Sequence, residues 1–218
     1  MRVGISTIGF MPGECGGTET YVRNLWEQLQ IVDGSNFYQL ICAKKHQYLF
    51  PTTSRNFSFR YLDFSRGTYR WLIRGVLKKA TGLDVLGATL NKGDIDLIHH
   101  PFTILNPLKL KIPSVLTFWD MQQEFYPQFF TSRELKLREA SYRPSVKRAK
   151  RIIVSSEFTR KCLVEKYGAE EEKIDLVYTG YGSGYRVIED STLLESVRER
   201  YQLNKPFLFY PEIGRAHV

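Results

Sequence analysis

Arg2-Val3-Gly4-Ile5-Ser6-Thr7-Ile8-Gly9-Phe10 runs into Met11-Pro12-Gly13-Glu14-Cys15-Gly16-Gly17-Thr18, and that into Glu19-Thr20-Tyr21-Val22-Arg23-Asn24-Leu25-Trp26. The first segment is apolar and rich in β-formers, so it predicts a strand. The second is a glycine-bearing loop ending in Thr18, a residue suited to cap a helix by accepting a backbone N–H. In the third, Tyr21, Val22, Leu25, Trp26 and Leu29 recur near every 3.6 residues, which predicts a helix ending near Asp33-Gly34. The chain therefore opens on a βα unit.

The same alternation continues. Strands are expected at 37–43, 57–62, 94–101, 112–118, 151–156 and 172–178. Between them lie an amphipathic helix from Tyr69 that Gly82 interrupts before Leu90, a helix over 132–150 that Pro144 is expected to kink or split, and a helix over 157–167 closed by Gly168. Strands alternating with helices imply an α/β fold, a Rossmann-like parallel sheet flanked by helices. Ligands of such sheets lie beyond the carboxyl ends of the strands, here 13–18, 99–101, 119–120 and 155–158. A polar helix over 191–201 leads through Lys205-Pro206 to Phe207-Leu208-Phe209-Tyr210, which reads as the first strand of a second domain.

Composition agrees with a packed core. The 218 residues are 43% hydrophobic and 25% charged, values that exclude disorder, collagen and a disulfide scaffold. No run approaches the roughly 18 apolar residues of a membrane span, and the amino terminus lacks signal-peptide form, so the expected compartment is the cytoplasm. Cys15, Cys42 and Cys162 are far apart with no C-x-x-C spacing, so they read as small buried hydrophobes rather than zinc ligands or disulfides. The net charge of +8 is concentrated. Residues 131–161 carry +7 and residues 66–79 carry +5, leaving −4 on the remainder. Two basic patches on a mildly acidic body attract phosphate, whether on nucleotides, nucleic acid or anionic lipid.

Four ordered segments resemble the amino-terminal half of family 4 glycosyltransferases: 16–25 (Gly-Gly-Thr-Glu-Thr-Tyr-Val-Arg-Asn-Leu), 96–99 (Asp-Leu-Ile-His), 120–130 (Asp-Met-Gln-Gln-Glu-Phe-Tyr-Pro-Gln-Phe-Phe) and 149–159 (Ala-Lys-Arg-Ile-Ile-Val-Ser-Ser-Glu-Phe-Thr). The resemblance covers roughly residues 1–210 and implies one half of a GT-B fold, two Rossmann-like domains facing each other across a cleft. It implies an acceptor-side domain over 1–180, a linker and helix over 181–205, and the first strand of a donor domain over 206–211. Residues 212–218 end in Ile-Gly-Arg-Ala-His-Val, which ATC GGA AGA GCA CAC GTC encodes, and they read as sequencing-adapter sequence; on that reading the fragment alone does not turn over substrate. The resemblance also implies a nucleotide-diphosphate sugar as co-substrate, a glycan or lipid-linked acceptor, transfer with retention, and no bound metal or other cofactor. Contact with the inner membrane face is expected through Arg66, Arg70, Arg74 and Lys78.

The candidate site follows from chemistry and resemblance together. Gly16 and Gly17, lacking Cβ atoms at a helix amino terminus, let backbone N–H groups approach a diphosphate, or else serve only the geometry of the turn. Thr18 belongs to the same loop. Glu19 either meets acceptor hydroxyls or complements the helix dipole in solvent. Asp120 follows a strand where the family usually has His-Asp; here Trp119 precedes it and offers no ring-nitrogen lone pair. Asp120 orients an acceptor hydroxyl or caps the following turn, and Trp119 is placed to stack on a sugar ring. His100 is the better cleft candidate of His99-His100, a satisfied structural histidine being the alternative. Two other readings remain open. A nucleic-acid-binding module would use the basic patches but lacks a recognition motif. A Rossmann nucleotide-cofactor enzyme would need a full G-x-G-x-x-G, and Ala43-Lys44-Lys45 stands where its acidic residue belongs.

Overall fold

The computed structural model describes residues 1–65, 67–182 and 185–208. The chain divides into two compact units, Met1–Thr179 and Gly180–Val218. The first is built as β1 (Arg2–Ser6), α1 (Gly17–Val32), β2 (Phe37–Cys42), β3 (Phe57–Tyr61), α2 (Tyr69–Thr81), α3 (Val85–Leu90), β4 (Leu97–His100), β5 (Ser114–Phe118), α4 (Ser132–Arg148), β6 (Arg151–Val154), α5 (Glu157–Tyr167) and β7 (Ile174–Leu176), with short 3₁₀ turns between them. The seven strands form one sheet in the order β3-β2-β1-β4-β5-β6-β7, and every pairing is parallel. β1 pairs Ile5 with Leu40 on one side and with His99 on the other. The winding direction reverses between β1 and β4, the kind of switch point beyond whose carboxyl ends parallel sheets bind their ligands.

Alternation along the central strands supplies both faces. Val3, Ile5, Leu40 and Cys42 pack under α1 with Trp26, whose ring meets Phe57 edge-on at 4.9 Å. Ile41 and Ile98 point the other way, to Leu86 and Leu90 of α3. A further cluster joins β5, β6 and β7 to Val146 of α4 and Leu163 of α5. This covering of both faces is what an all-parallel sheet requires.

Several expectations change in detail. The helix begins one residue before Thr18: Gly16 occupies the N-cap position with φ 51° and no side-chain cap. Thr18 therefore lies within the first turn. Gly82 ends α2 in a left-handed conformation, and the Asp84 side chain starts α3 separately by accepting the Leu86 N–H. α4 is one element through Pro144. In the second unit, α6 (Ser191–Arg200) is capped by Asp190, whose carboxylate accepts the Thr192 and Leu193 N–H groups. The expected strand over 206–211 is described only to Leu208, without strand pairing, and residues 209–218, the tail included, lie outside the described residues.

Candidate active site at the carboxyl ends of the strands

The loop from β1 to α1 is a series of tight turns. Glu14 N–H donates to Met11 O, Thr18 N–H to Cys15 O and Glu19 N–H to Gly16 O, at 3.1 to 3.2 Å. Gly13 and Gly16 have φ of 82° and 51°, a region that side chains with a Cβ rarely adopt. The amides of Gly16 and Gly17 donate to no group among the described residues, and a Cβ built on either glycine meets open space. Glu19 does not face outward. Its Oε2 accepts the Gly13 N–H at 2.8 Å, and Arg23 Nη1 lies 3.5 Å from Oε1.

Beside this loop, the ends of β4 and β5 are cross-braced. His99 Nε2 lies 2.7 Å from Thr117 Oγ1, and Thr117 also hydrogen-bonds the Tyr21 hydroxyl, reaching from α1 into the sheet. Burial pushes the Tyr21 hydroxyl pKa up against that hydrogen bond. The Tyr21 ring meets Trp119 edge-on at 4.7 Å, and the Trp119 indole donates to Pro101 O at 2.7 Å. Thr103, a β-branched residue at φ 60°, donates its N–H to Thr117 O, and its Oγ1 lies 3.4 Å from Trp119 N. The connection after β4 is thereby tied to the start of the segment after β5.

His100 is buried, as the structural alternative for it expects. Its Nδ1 faces the Asn106 N–H at 3.4 Å, and its Nε2 is the one buried side-chain polar atom without a partner among the described residues. Burial lowers His99 to about 4, and burial with the neighbouring His99 lowers His100 to about 3, so both are neutral at pH 7. Asp120 is exposed, and its Oδ1 is 3.4 Å from Gln122 N, weak support for the turn that follows. At the end of β6, Ser156 caps α5 through the Thr159 N–H. Exposed Phe158 there lies 5.4 Å from Phe125, centroid to centroid. Cys42 and Cys162 are buried thiols, Cys42 being pushed up to about 11 by burial, and Cys15 is half-buried. Among the described residues no group of three or more His, Cys, Asp or Glu is placed to hold a metal ion.

Sequence reasoning missed Tyr21, Thr103 and Thr117. Tyr21 was assigned to the apolar face of α1, and nothing in its spacing distinguishes a packed ring from one whose hydroxyl reaches a strand end.

The basic patches are partly neutralised within the fold. Arg74 Nε and Nη2 each lie 2.7 Å from an Asp84 carboxylate oxygen, and Nη2 also donates to Asn106 Oδ1 at 2.7 Å. Arg74 is thus engaged within the fold rather than free for the membrane contact expected of it. Arg66 lies outside the described residues. The apolar side of α2 is exposed: Leu72 is 56% and Val76 67% accessible, and Tyr69, Ile73 and Leu77 are exposed with them. In the second patch, Arg138 is engaged with Gln123 and Tyr142, Arg143 with Glu139 and Glu124, Arg151 with Asp175, and Arg160 with Glu157 and Glu171. Among the described residues no helix is long and apolar enough to cross a membrane.

Solved structures share this fold. Sucrose-phosphate synthase from Thermosynechococcus elongatus superposes with a TM-score of 0.59 at 18% identity, over 94% of this chain and 53% of that one. UGT89C1 of Arabidopsis thaliana, complexed with quercetin, superposes with a TM-score of 0.50 at 10% identity, over 89% of this chain and 55% of that one. The chain spans about half the length of these relatives. No curated protein sequence matches it. The Glycosyltransferase Family 4 model matches residues 15–181, from the glycine loop through the seventh strand, and the chain belongs to that family.

Proposed function

We propose that this chain is the acceptor-side part of a glycosyltransferase that moves a sugar from a nucleotide-diphosphate sugar to a glycan or lipid-linked acceptor with retention. The observation that carries this reading is the pair of open amides at Gly16 and Gly17, at the carboxyl end of β1 and the positive end of the α1 dipole. Two N–H donors there suit a diphosphate leaving group, whose negative charge grows as the sugar–oxygen bond breaks. Thr18 contributes its place in the first turn, its amide being bonded to Cys15 O. Trp119, held by Pro101 and Tyr21, offers a rigid half-exposed ring to a sugar, and exposed Asp120 beside it orients an acceptor hydroxyl. His100 serves from beneath, as buried support for the β4 end. A co-substrate bound through amides calls for no metal in this half of the site.

Gly17 tests the reading. Its φ is not positive and its Cβ direction is open, so Gly17→Val fits the fold yet places two methyl groups where the diphosphate would approach. In a chain that also carries the donor-side half, kcat/KM should fall about 100-fold or more, while the urea midpoint stays within the equivalent of about 1 kcal/mol. Unchanged turnover would remove the diphosphate role.

Peripheral membrane contact is supported by α2, though by a different face than expected. Its exposed apolar side is flanked by Arg70, Lys78 and Lys79, an arrangement that suits insertion among anionic headgroups. Vesicles containing phosphatidylglycerol should sediment the chain about tenfold more efficiently than phosphatidylcholine alone, and Leu72→Ser with Val76→Ser should abolish it. Equal, negligible sedimentation with both vesicle types would refute membrane contact.

A further inference from the structure

Glu19 sits in the first turn of α1, a position where a carboxylate near a bound diphosphate would repel it. Its geometry resolves the conflict. The side chain is only 16% exposed, its Oε2 accepts the Gly13 N–H at 2.8 Å, and Oε1 is within 3.5 Å of Arg23 Nη1 one turn further on. The carboxylate is therefore turned back along the helix and paired with a cation.

Gly13 lies in the middle of the loop. The backbone bonds of that loop are local, from Glu14 to Met11 and from Thr18 to Cys15, and none of them ties its middle to the helix. At its far end Cys15 packs against the cluster under α1. The Glu19–Gly13 bond is the one hydrogen bond among the described residues that joins residues 11–14 to α1. Two positive-φ glycines in six residues give this segment wide conformational freedom if it is released.

We propose that Glu19 is a positioning residue: acting through the Gly13 amide, it latches the 11–16 loop onto α1 so that the Gly16 and Gly17 amides stay open to an anion, with Arg23 screening its charge. Glu19 thereby touches no substrate. The functional side of this inference rests on the diphosphate reading, but the latch itself can be measured without any ligand.

Hydrogen exchange on this 218-residue chain separates the two. Glu19→Gln keeps a carbonyl acceptor for Gly13, and Glu19→Ala removes it. Exchange at Gly13 should quicken about tenfold in the alanine variant and stay within about threefold in the glutamine variant, with the sheet amides unchanged in both. In a chain that also carries a donor-side half, the alanine variant should raise the donor KM about tenfold with kcat within about twofold, and the glutamine variant should restore it. Exchange that is the same in all three proteins would overturn the latch. A glutamine variant as impaired in KM as alanine with its loop still protected would overturn the positioning role, because the carboxylate charge would then act on the ligand directly. If UDP gives the wild-type loop no added protection while the alanine variant still loosens it, the diphosphate reading fails and the latch stands.

Discussion

His99 and His100 carry the strongest electrostatic perturbation at the candidate site, and its consequence is measurable. Both are buried and neutral, with values lowered to about 4 and about 3 from the ordinary 6.5. Between those values and 6.5 the unfolded chain binds more protons than the folded one, so stability rises with pH across that window and is lost on acidification. The loss is on the order of 3 kcal/mol per histidine by pH 4. Urea midpoints should therefore fall steadily from pH 7 to about pH 5, above the range where the carboxylates contribute. A flat profile there would mean that the two rings are hydrated in solution. Of these residues, the sequence revealed that two histidines stand at a strand end. It was silent on which side of the strand end each ring takes, because a period of two places neighbours on opposite faces without saying which face is closed.

At the scale of elements, α2 is anchored through its contacts with Asp84 and Asn106. None of its residues is buried, while the Arg74–Asp84 pair, about one-eighth exposed, ties it to α3 and through Asn106 to the segment after β4. Burial alone would push Asp84 up, but the Arg74 hydrogen bonds and the charges of Arg74 and Lys78 outweigh it and hold the carboxyl below its usual range. Replacing Arg74 with methionine leaves that carboxylate without its main partner, at a cost of about 3 kcal/mol. Exchange over residues 69–84 should then accelerate while β1, β4 and β5 remain protected. Global unfolding with uniform acceleration would show that α2 belongs to the core. Periodicity separates an apolar and a basic side of this helix, but does not say which of them meets the rest of the fold. An amphipathic pattern defines two sides; which side meets protein depends on what Asp84 and Asn106 offer across the gap.

For the molecule as a whole, alternating strands and helices, short crossovers and buried β-rich runs were sufficient to read an α/β sheet with its ligand end at the carboxyl termini. That part was legible because it rests on local periodicity and on the handedness of parallel connections. The formal +8 proved less informative than its partners. Ion pairs to Asp84, Glu124, Asp175 and Glu171, each ten or more residues away in sequence, bind arginines from both basic stretches to carboxylates, which weakens the case for an extended nucleic-acid surface. From the sequence alone came the class of fold, the βα glycine loop, and the family resemblance that the match over residues 15–181 bears out. Only the tertiary structure decided that Glu19 turns inward, that His100 is sealed in, and that the apolar side of α2 faces out. Each of these depends on contacts between residues distant in sequence or on the path of a loop, and such contacts leave no period in the chain.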